Sequence, residues 1–210
     1  MIFVAYTRVD ADACALEASA RRLFPSSQGL RYIDEICVGT CREAVCERLA
    51  ALVLLGALCE KAGISTAHNS PIKDAQGKPH FEGLPFDFSI THSRGIVAVA
   101  LGNSGKLGID IEASEPDAKK AKRLAKRYFS EREAEVVMQS HEEFARLWTK
   151  KEAAFKLLGG SLTEILSKDS ESLFEDEKVF YNFYEIYGYP LTLCTESKQK
   201  DIEIFEQKLI

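Results

Sequence analysis

Asp110 and Glu112 stand two positions apart in Lys106–Glu112, KLGIDIE. On an extended chain such positions share a face and lie about 6.5–7 Å apart, so the two carboxylates can converge on one point. Neighbouring anions repel unless something cationic lies between them. Mg2+ meets that need, since it takes one or two protein carboxylates and fills its shell with water and substrate phosphates. The plainer reading is a solvated strand face, and Gly108, on the same side, leaves room for a ligand. A second group of charges lies in Phe144–Gly160, FARLWTKKEAAFKLLGG. Wound at about 100° per residue, Phe144, Leu147, Trp148, Phe155 and Leu158 form an apolar stripe with Ala154 at its edge, and Lys151 falls in its middle. Glu152 lies one turn below Trp148, and Lys156 one turn below Glu152. Either Lys151 snorkels or pairs for structural reasons, or this face borders a site that uses both charges.

Two further groups could touch a ligand. Ser89-Ile90-Thr91-His92-Ser93 sets hydroxyls around an imidazole at a strand end, suited to capping a loop or to contacting a phosphate or ribose. Lys78, between Gly77 and Pro79, has a constrained backbone and an exposed head; by itself this is a turn.

Holding these groups takes an α+β chain. A strand is predicted over Ile2–Arg8, then a short helix to about Phe24. Cys41–Lys61 reads as a long central helix, with Thr40 as N-cap, Glu43 as its capping-box partner and Gly63 as its stop. Leu84–Thr91 alternates as a half-buried strand, Ile96–Leu101 is a buried one, and Gly102–Gly105 turns the chain into Lys106–Glu112, whose Leu107, Ile109 and Ile111 face the core. A helix opens at Glu115–Pro116 and runs to about Tyr128; Lys119, Lys120, Lys122, Arg123, Lys126 and Arg127 cover one broad face of it. Ser130 and Glu133 form a capping box. After the Phe144–Gly160 helix, residues 160–178 read as an acidic, Ser-rich loop with a helical turn, and residues 179–187, 190–196 and 201–206 as an antiparallel meander. The two halves, 1–105 and 106–210, share a rough plan of a central helix followed by strands.

The composition narrows the class. With 46% hydrophobic and 28% charged residues the chain is a folded, soluble type. A net charge of −5 argues against nucleic acid as partner, so any basic site is local. The start, MIFVAYTRVDADAC, has neither the basic stretch nor the apolar run of a secretory leader. The longest apolar run, Leu49–Cys59, is shorter than the ~18–20 residues a membrane span needs. The six cysteines show no CxxC spacing and are expected as free, mostly buried thiols of a cytoplasmic protein, with a zinc site the weaker alternative.

Taken in order, GKP (77–79), SITHS (89–93), GIDIE (108–112) and WTKKEAAFK (148–156) resemble the signatures of the 4′-phosphopantetheinyl transferases, in particular the long single-chain (surfactin-synthetase-activating) type. The resemblance covers roughly residues 70–165. It implies a fold of two pseudo-twofold-related α+β halves, each a long helix on a small, largely antiparallel sheet, with the active site in the cleft between them. It implies a monomer that moves the 4′-phosphopantetheine arm of coenzyme A to a serine of an acyl or peptidyl carrier protein, releasing 3′,5′-ADP and requiring Mg2+. By position, Asp110, Glu112 and Glu152 match the metal ligands; Lys78, Thr91, His92 and Lys151 fall on the coenzyme; Glu152 and Lys156 are the catalytic candidates. The basic helix 119–127 becomes a candidate surface for an acidic carrier. The chain departs from the family's Asn-[LV]-Ser-His-Ser pattern at Ser89 and Thr91, and contacts for the 3′-phosphate are open, with Arg31 and Arg42 as guesses. The rival readings are a Mg2+-dependent hydrolase of coenzyme A or a nucleotide, and a non-enzymatic carrier-binding or scaffold protein with the acids as surface.

Overall fold

The computed structural model describes every residue except Glu115 and Ile210. It divides into two compact units, one comprising Met1–Gly105 and the segment from Gln199 onward, the other Lys106–Lys198. Helices and sheets occur in both, so the chain is an α+β protein.

The first unit is built on a four-stranded sheet. β1 (Ile2–Arg8) pairs antiparallel with β5 (Ile96–Gly102), which pairs antiparallel with β4 (Asp87–Ser93). α1 (Ala13–Leu23) is capped by Asp12, whose carboxylate accepts from the N–H groups of Cys14 and Ala15. α3 (Arg42–Lys61) supplies the core: Leu49, Leu54, Leu55 and Leu58 are each 0% exposed. Its N-cap is Cys41, with no side-chain cap bond, where Thr40 was expected. Between α1 and α3 lies a helix the sequence reading passed over, α2 (Ser27–Cys37), which buries Gly29, Ile33 and Ile36. A Cβ at Gly29 would meet Phe24 O at 2.5 Å, so only glycine allows α2 its close approach. The short strands β2 (Ile72–Lys73) and β3 (Pro79–His80) form a hairpin around the turn that holds Lys78.

The second unit has a three-stranded sheet in the order β6-β8-β7: β6 (Leu107–Ile111), β8 (Tyr189–Thr195) and β7 (Phe180–Ile186), all antiparallel. α6 (Glu143–Leu158) packs on β6 and β8 and ends at Gly159, φ 75°. α4 (Ala118–Tyr128) is capped by Asp117; the expected helix start at Glu115 lies outside the described residues, and at Pro116 the chain is not yet helical. α5 (Glu131–Gln139) starts at the Ser130 cap. Residues 160–178 hold two short helices rather than a loop, α7 (Leu162–Ser167) and α8 (Ser170–Asp176).

One strand departs from the expected meander. β9 (Ile202–Glu206) leaves β7 and β8 and pairs parallel with β1, giving the first unit's sheet the order β4-β5-β1-β9. The sequence places β9 after β8 but does not state its partner, and a hairpin between neighbours was the default assumption.

Candidate functional site

In the second unit the acids of β6 meet α6. Both faces of β6 are buried, and Asp110 is 8% exposed. Gly108 makes this possible: a Cβ there would lie 1.9 Å from Ala153 O. The space beside the acids that the sequence suggested for a ligand is therefore filled by the backbone of α6. That contact brings the side chains of α6 onto Asp110. Lys156 Nζ stands 2.8 Å from Asp110 Oδ1 and also donates to Ile109 O at 2.9 Å. Glu112, just past the end of β6, accepts from Ser114 N–H at 2.7 Å through Oε1. A cavity of about 320 Å³ opens beside Glu112, with Ala145, Arg146, Phe183 and Tyr189 in its lining.

Glu152 registers both strand acids. Burial pushes its carboxyl up to about 7, with further contributions from Asp110 and Glu112, while Lys156 opposes the rise. The carboxylates of Asp110 and Glu112 thus both act on that of Glu152, and the Lys156 ammonium stands beside Asp110. Their charges suit a cation. Among the described residues, however, no three His, Cys, Asp or Glu side chains gather closely enough to ligate one ion. The oxygen donors fit Mg2+ in kind, and its usual one or two protein carboxylates are present.

Lys151 is buried in an ion pair, the structural alternative that the sequence left open. It is 0% exposed, and its Nζ lies 2.7 Å from Glu133 Oε2. It also donates to the carbonyls of Leu166 and Lys168 and sits 5.1 Å from the Phe129 ring centre. Burial pulls the Lys151 ammonium below its ordinary range, and Glu133 works against that shift. Glu133 is itself held below the usual carboxylate range by its bonds to Lys151, Ser170 and Ser130, which outweigh the upward push of burial. Glu133 is both the capping-box partner of Ser130 and the buried counter-ion of Lys151. Only the capping role had a local signal, because the ion pair joins positions remote in the chain.

In the first unit, Lys78 Nζ stands 3.3 Å from Asp87 Oδ2, and the turn before it is held by Asp74, whose Oδ1 accepts from the N–H groups of Gln76 and Lys78. Gly77 takes φ 86°, which glycine permits. Thr91 is buried. His92 is exposed, with its Nδ1 2.8 Å from Glu47 Oε2; Glu47 Oε1 accepts from Gly95 N–H at 2.6 Å. Glu47 orients the imidazole from α3, and no sequence signal pointed to it. A cavity of about 1040 Å³ is lined by Arg42, Glu47 and Arg94, among others. Arg31 instead projects into solvent, 4.0 Å from Glu35.

On α4, Lys119, Lys120, Arg123, Lys126 and Arg127 are exposed and Lys122 half-buried, while Ala121 and Ala125 are fully buried. Among the described residues none of these six basic heads pairs with a carboxylate. The cysteines are all free; Cys59 and Cys194 are buried as expected, but Cys14 and Cys41 are exposed. Among the described residues no helix is long and apolar enough to cross a membrane.

Residues 106–205 match the profile of the 4′-phosphopantetheinyl transferase superfamily. The chain is 42% identical over 101 residues to the 4′-phosphopantetheinyl transferase AcpT of Salmonella typhimurium, covering 45% of this chain and 52% of that protein. It is 29% identical over 178 residues to the 4′-phosphopantetheinyl transferase ffp of Bacillus subtilis, covering 73% of this chain and 78% of that protein. It is 31% identical over 101 residues to the 4′-phosphopantetheinyl transferase HetI of a Nostoc strain, covering 44% of this chain and 42% of that protein. The chain thus spans about half the length of AcpT.

Proposed function

We propose that this chain is a 4′-phosphopantetheinyl transferase of the long single-chain type, acting as a monomer in the cytoplasm. It moves the phosphopantetheine arm of coenzyme A to a serine of an acyl or peptidyl carrier protein. The observation that carries this reading is the contact of Lys156 with Asp110, with Glu152 within electrostatic reach of both strand acids, inside the stretch that matches the superfamily.

In the reaction the serine Oγ attacks the β-phosphorus of coenzyme A. A new O–P bond forms, the bond from that phosphorus to the bridging oxygen breaks, and 3′,5′-ADP leaves with that oxygen. Glu152 takes the serine proton. Lys156, beside Asp110, faces the charge that develops on the phosphoryl oxygens, the kind of fixed electrostatic contact that dominates phosphoryl transfer. One or two of Asp110, Glu112 and Glu152 would hold Mg2+, which when bound would offset the pyrophosphate charge. Lys78, Thr91 and His92 are assigned to the coenzyme, and Glu47 fixes the orientation of His92. Arg42 and Arg94, lining one cavity, are the candidates for its 3′-phosphate. The basic face of α4 attracts an acidic carrier.

One assay decides. The protein is mixed with coenzyme A, Mg2+ and a panel of apo carrier proteins, and each carrier is weighed by mass spectrometry. A phosphopantetheine adduct is expected. Nucleotide products without an adduct would show a hydrolase instead, and neither product would reject both enzymes.

A further inference from the structure

The proposed chemistry leaves one buried ion pair unused. Lys151 Nζ has oxygens from Glu133, Leu166 and Lys168 around it, one for each ammonium proton. Glu133 Oε1 accepts from Ser170 N–H at 3.0 Å, and its Oε2 accepts from Ser130 Oγ at 2.8 Å. One pair thus ties α6 to the first turn of α5 and to the segment joining α7 and α8.

We infer that the Glu133–Lys151 pair is a positioning device: it sets the roll of α6 about its axis, and so where Glu152 presents its carboxylate, without touching the coenzyme. The inference rests on the role given to Glu152 above. Successive helix residues are about 100° apart, so Lys151 and Ala153 point to nearly opposite sides of α6. Ala153 O is pressed against Gly108 of β6, and Thr149 on the same side shares a hydroxyl bond with Thr192 of β8 at 3.1 Å. Lys151 grips the other side. Glu152 projects from the flank between the two grips. A roll of about 15° would swing a side-chain tip at 5–6 Å from the axis by about 1.5 Å. A misplacement of about 1 Å at a reacting group can cost ~10²-fold in rate. On the sheet side Thr149 on Thr192 and Lys156 on Asp110 and Ile109 O resist rolling, and the Glu133–Lys151 pair is the matching grip on the opposite side.

The test compares the wild type with Lys151→Met and with the double variant Lys151→Met/Glu133→Leu. The single variant strands a buried carboxylate and melts earliest; the double variant removes both charges but also the partners of the Leu166 and Lys168 carbonyls and of Ser170 N–H, and melts between it and the wild type. In the double variant kcat for carrier modification is expected to fall about tenfold or more, while KM for coenzyme A stays within about twofold. Amide exchange across residues 149–156 and 166–170 is expected to quicken by about tenfold. A tenfold rise in KM for coenzyme A would place Lys151 on the coenzyme and overturn the inference. Unchanged kcat, or unchanged exchange, overturns it too. If the double variant does not fold, Glu133→Gln keeps the shape and weakens only the charge, and the same split between kcat and KM decides. If the wild type itself modifies no carrier, the transferase reading fails separately, and the exchange measurement still decides whether the pair holds α6.

Discussion

α3 and α6 both lay a long helix on a sheet, and they do it with different residues. α3 packs on β5 and β1 and buries leucines along its length, Leu49, Leu52, Leu54, Leu55 and Leu58. α6 faces β6 and β8 with Thr149, Ala153 and Leu157, keeps Lys151 buried behind, and sends Glu152 and Lys156 toward Asp110. The apolar helix gains stability from area alone. The polar one needs partners for each buried group, and every such partner also fixes an orientation. The lesson is that α6 trades generic burial for a defined setting of its side chains.

The strongest way to break this contrast is Glu152→Ala. Loss of one electrostatic group of this kind costs about 10²–10³ in rate. Stability should hold, because burial and the neighbouring acids already disfavour the charged carboxylate. Carrier modification rates and melting curves are measured side by side; full activity would remove Glu152 from the site. The counterpart on α3 is Leu54→Ala, at 0% exposure. It is expected to cost about 2–5 kcal/mol of stability by denaturant unfolding. A specific loss of rate at unchanged stability would erase the contrast.

Gly108→Ala probes the junction itself. The added Cβ would meet Ala153 O at 1.9 Å, so β6 and α6 must part. Overpacking of this sort costs about 1–3 kcal/mol, and carrier modification should fall along with stability. A variant stable and fully active would show that the close approach is not required. On α4, charge reversal of Lys122, Arg123 and Lys126 to Glu is expected to raise the apparent KM for an acidic carrier several-fold at low salt, roughly the effect of lost steering. At about 1 M salt, where the screening length shrinks to ~3 Å, the difference should vanish. A KM unchanged at low salt would make the patch ordinary surface.

The smallest effect concerns Asp169. Its hydrogen bonds from Arg132 hold the carboxyl down to about 2, against 3.8 ordinarily. A depressed carboxylate contributes stability above its unfolded pKa and loses it as pH falls through the folded one. The stability difference between the wild type and Asp169→Asn should therefore be steady near neutrality and shrink between about pH 4 and pH 2. A difference that grows on acidification would reverse the assignment.

The sequence marked candidate groups more readily than it marked the connections between them. Asp110 and Glu112 stood out because they share one face of an alternating strand, and Glu152 because it flanks the apolar stripe that Lys151 interrupts. The setting of Lys151 did not, since two of its partners are backbone carbonyls, which no residue type encodes, and the third, Glu133, lies on another helix. Gly108 was read as space for a ligand because a strand pattern shows a missing side chain but not what fills the gap. α2 was missed although Gly29, Ile33 and Ile36 keep helical spacing, because Gly29 at its start resembles a breaker; the close packing on Phe24 requires it. The pairing of β9 with β1 depends on contacts between distant parts of the chain, which local patterns do not record.

That pairing has a consequence for the order of events during synthesis. Residues 106–198 form a contiguous unit, but the sheet of the first unit is finished by a strand translated after all of them. Until Ile202–Glu206 emerges, β1 is an open edge rather than an interior strand. At ~5–20 residues per second the ribosome needs about 5–20 s to cover that distance. The part of the protein that starts first is therefore the part that waits longest for its last partner.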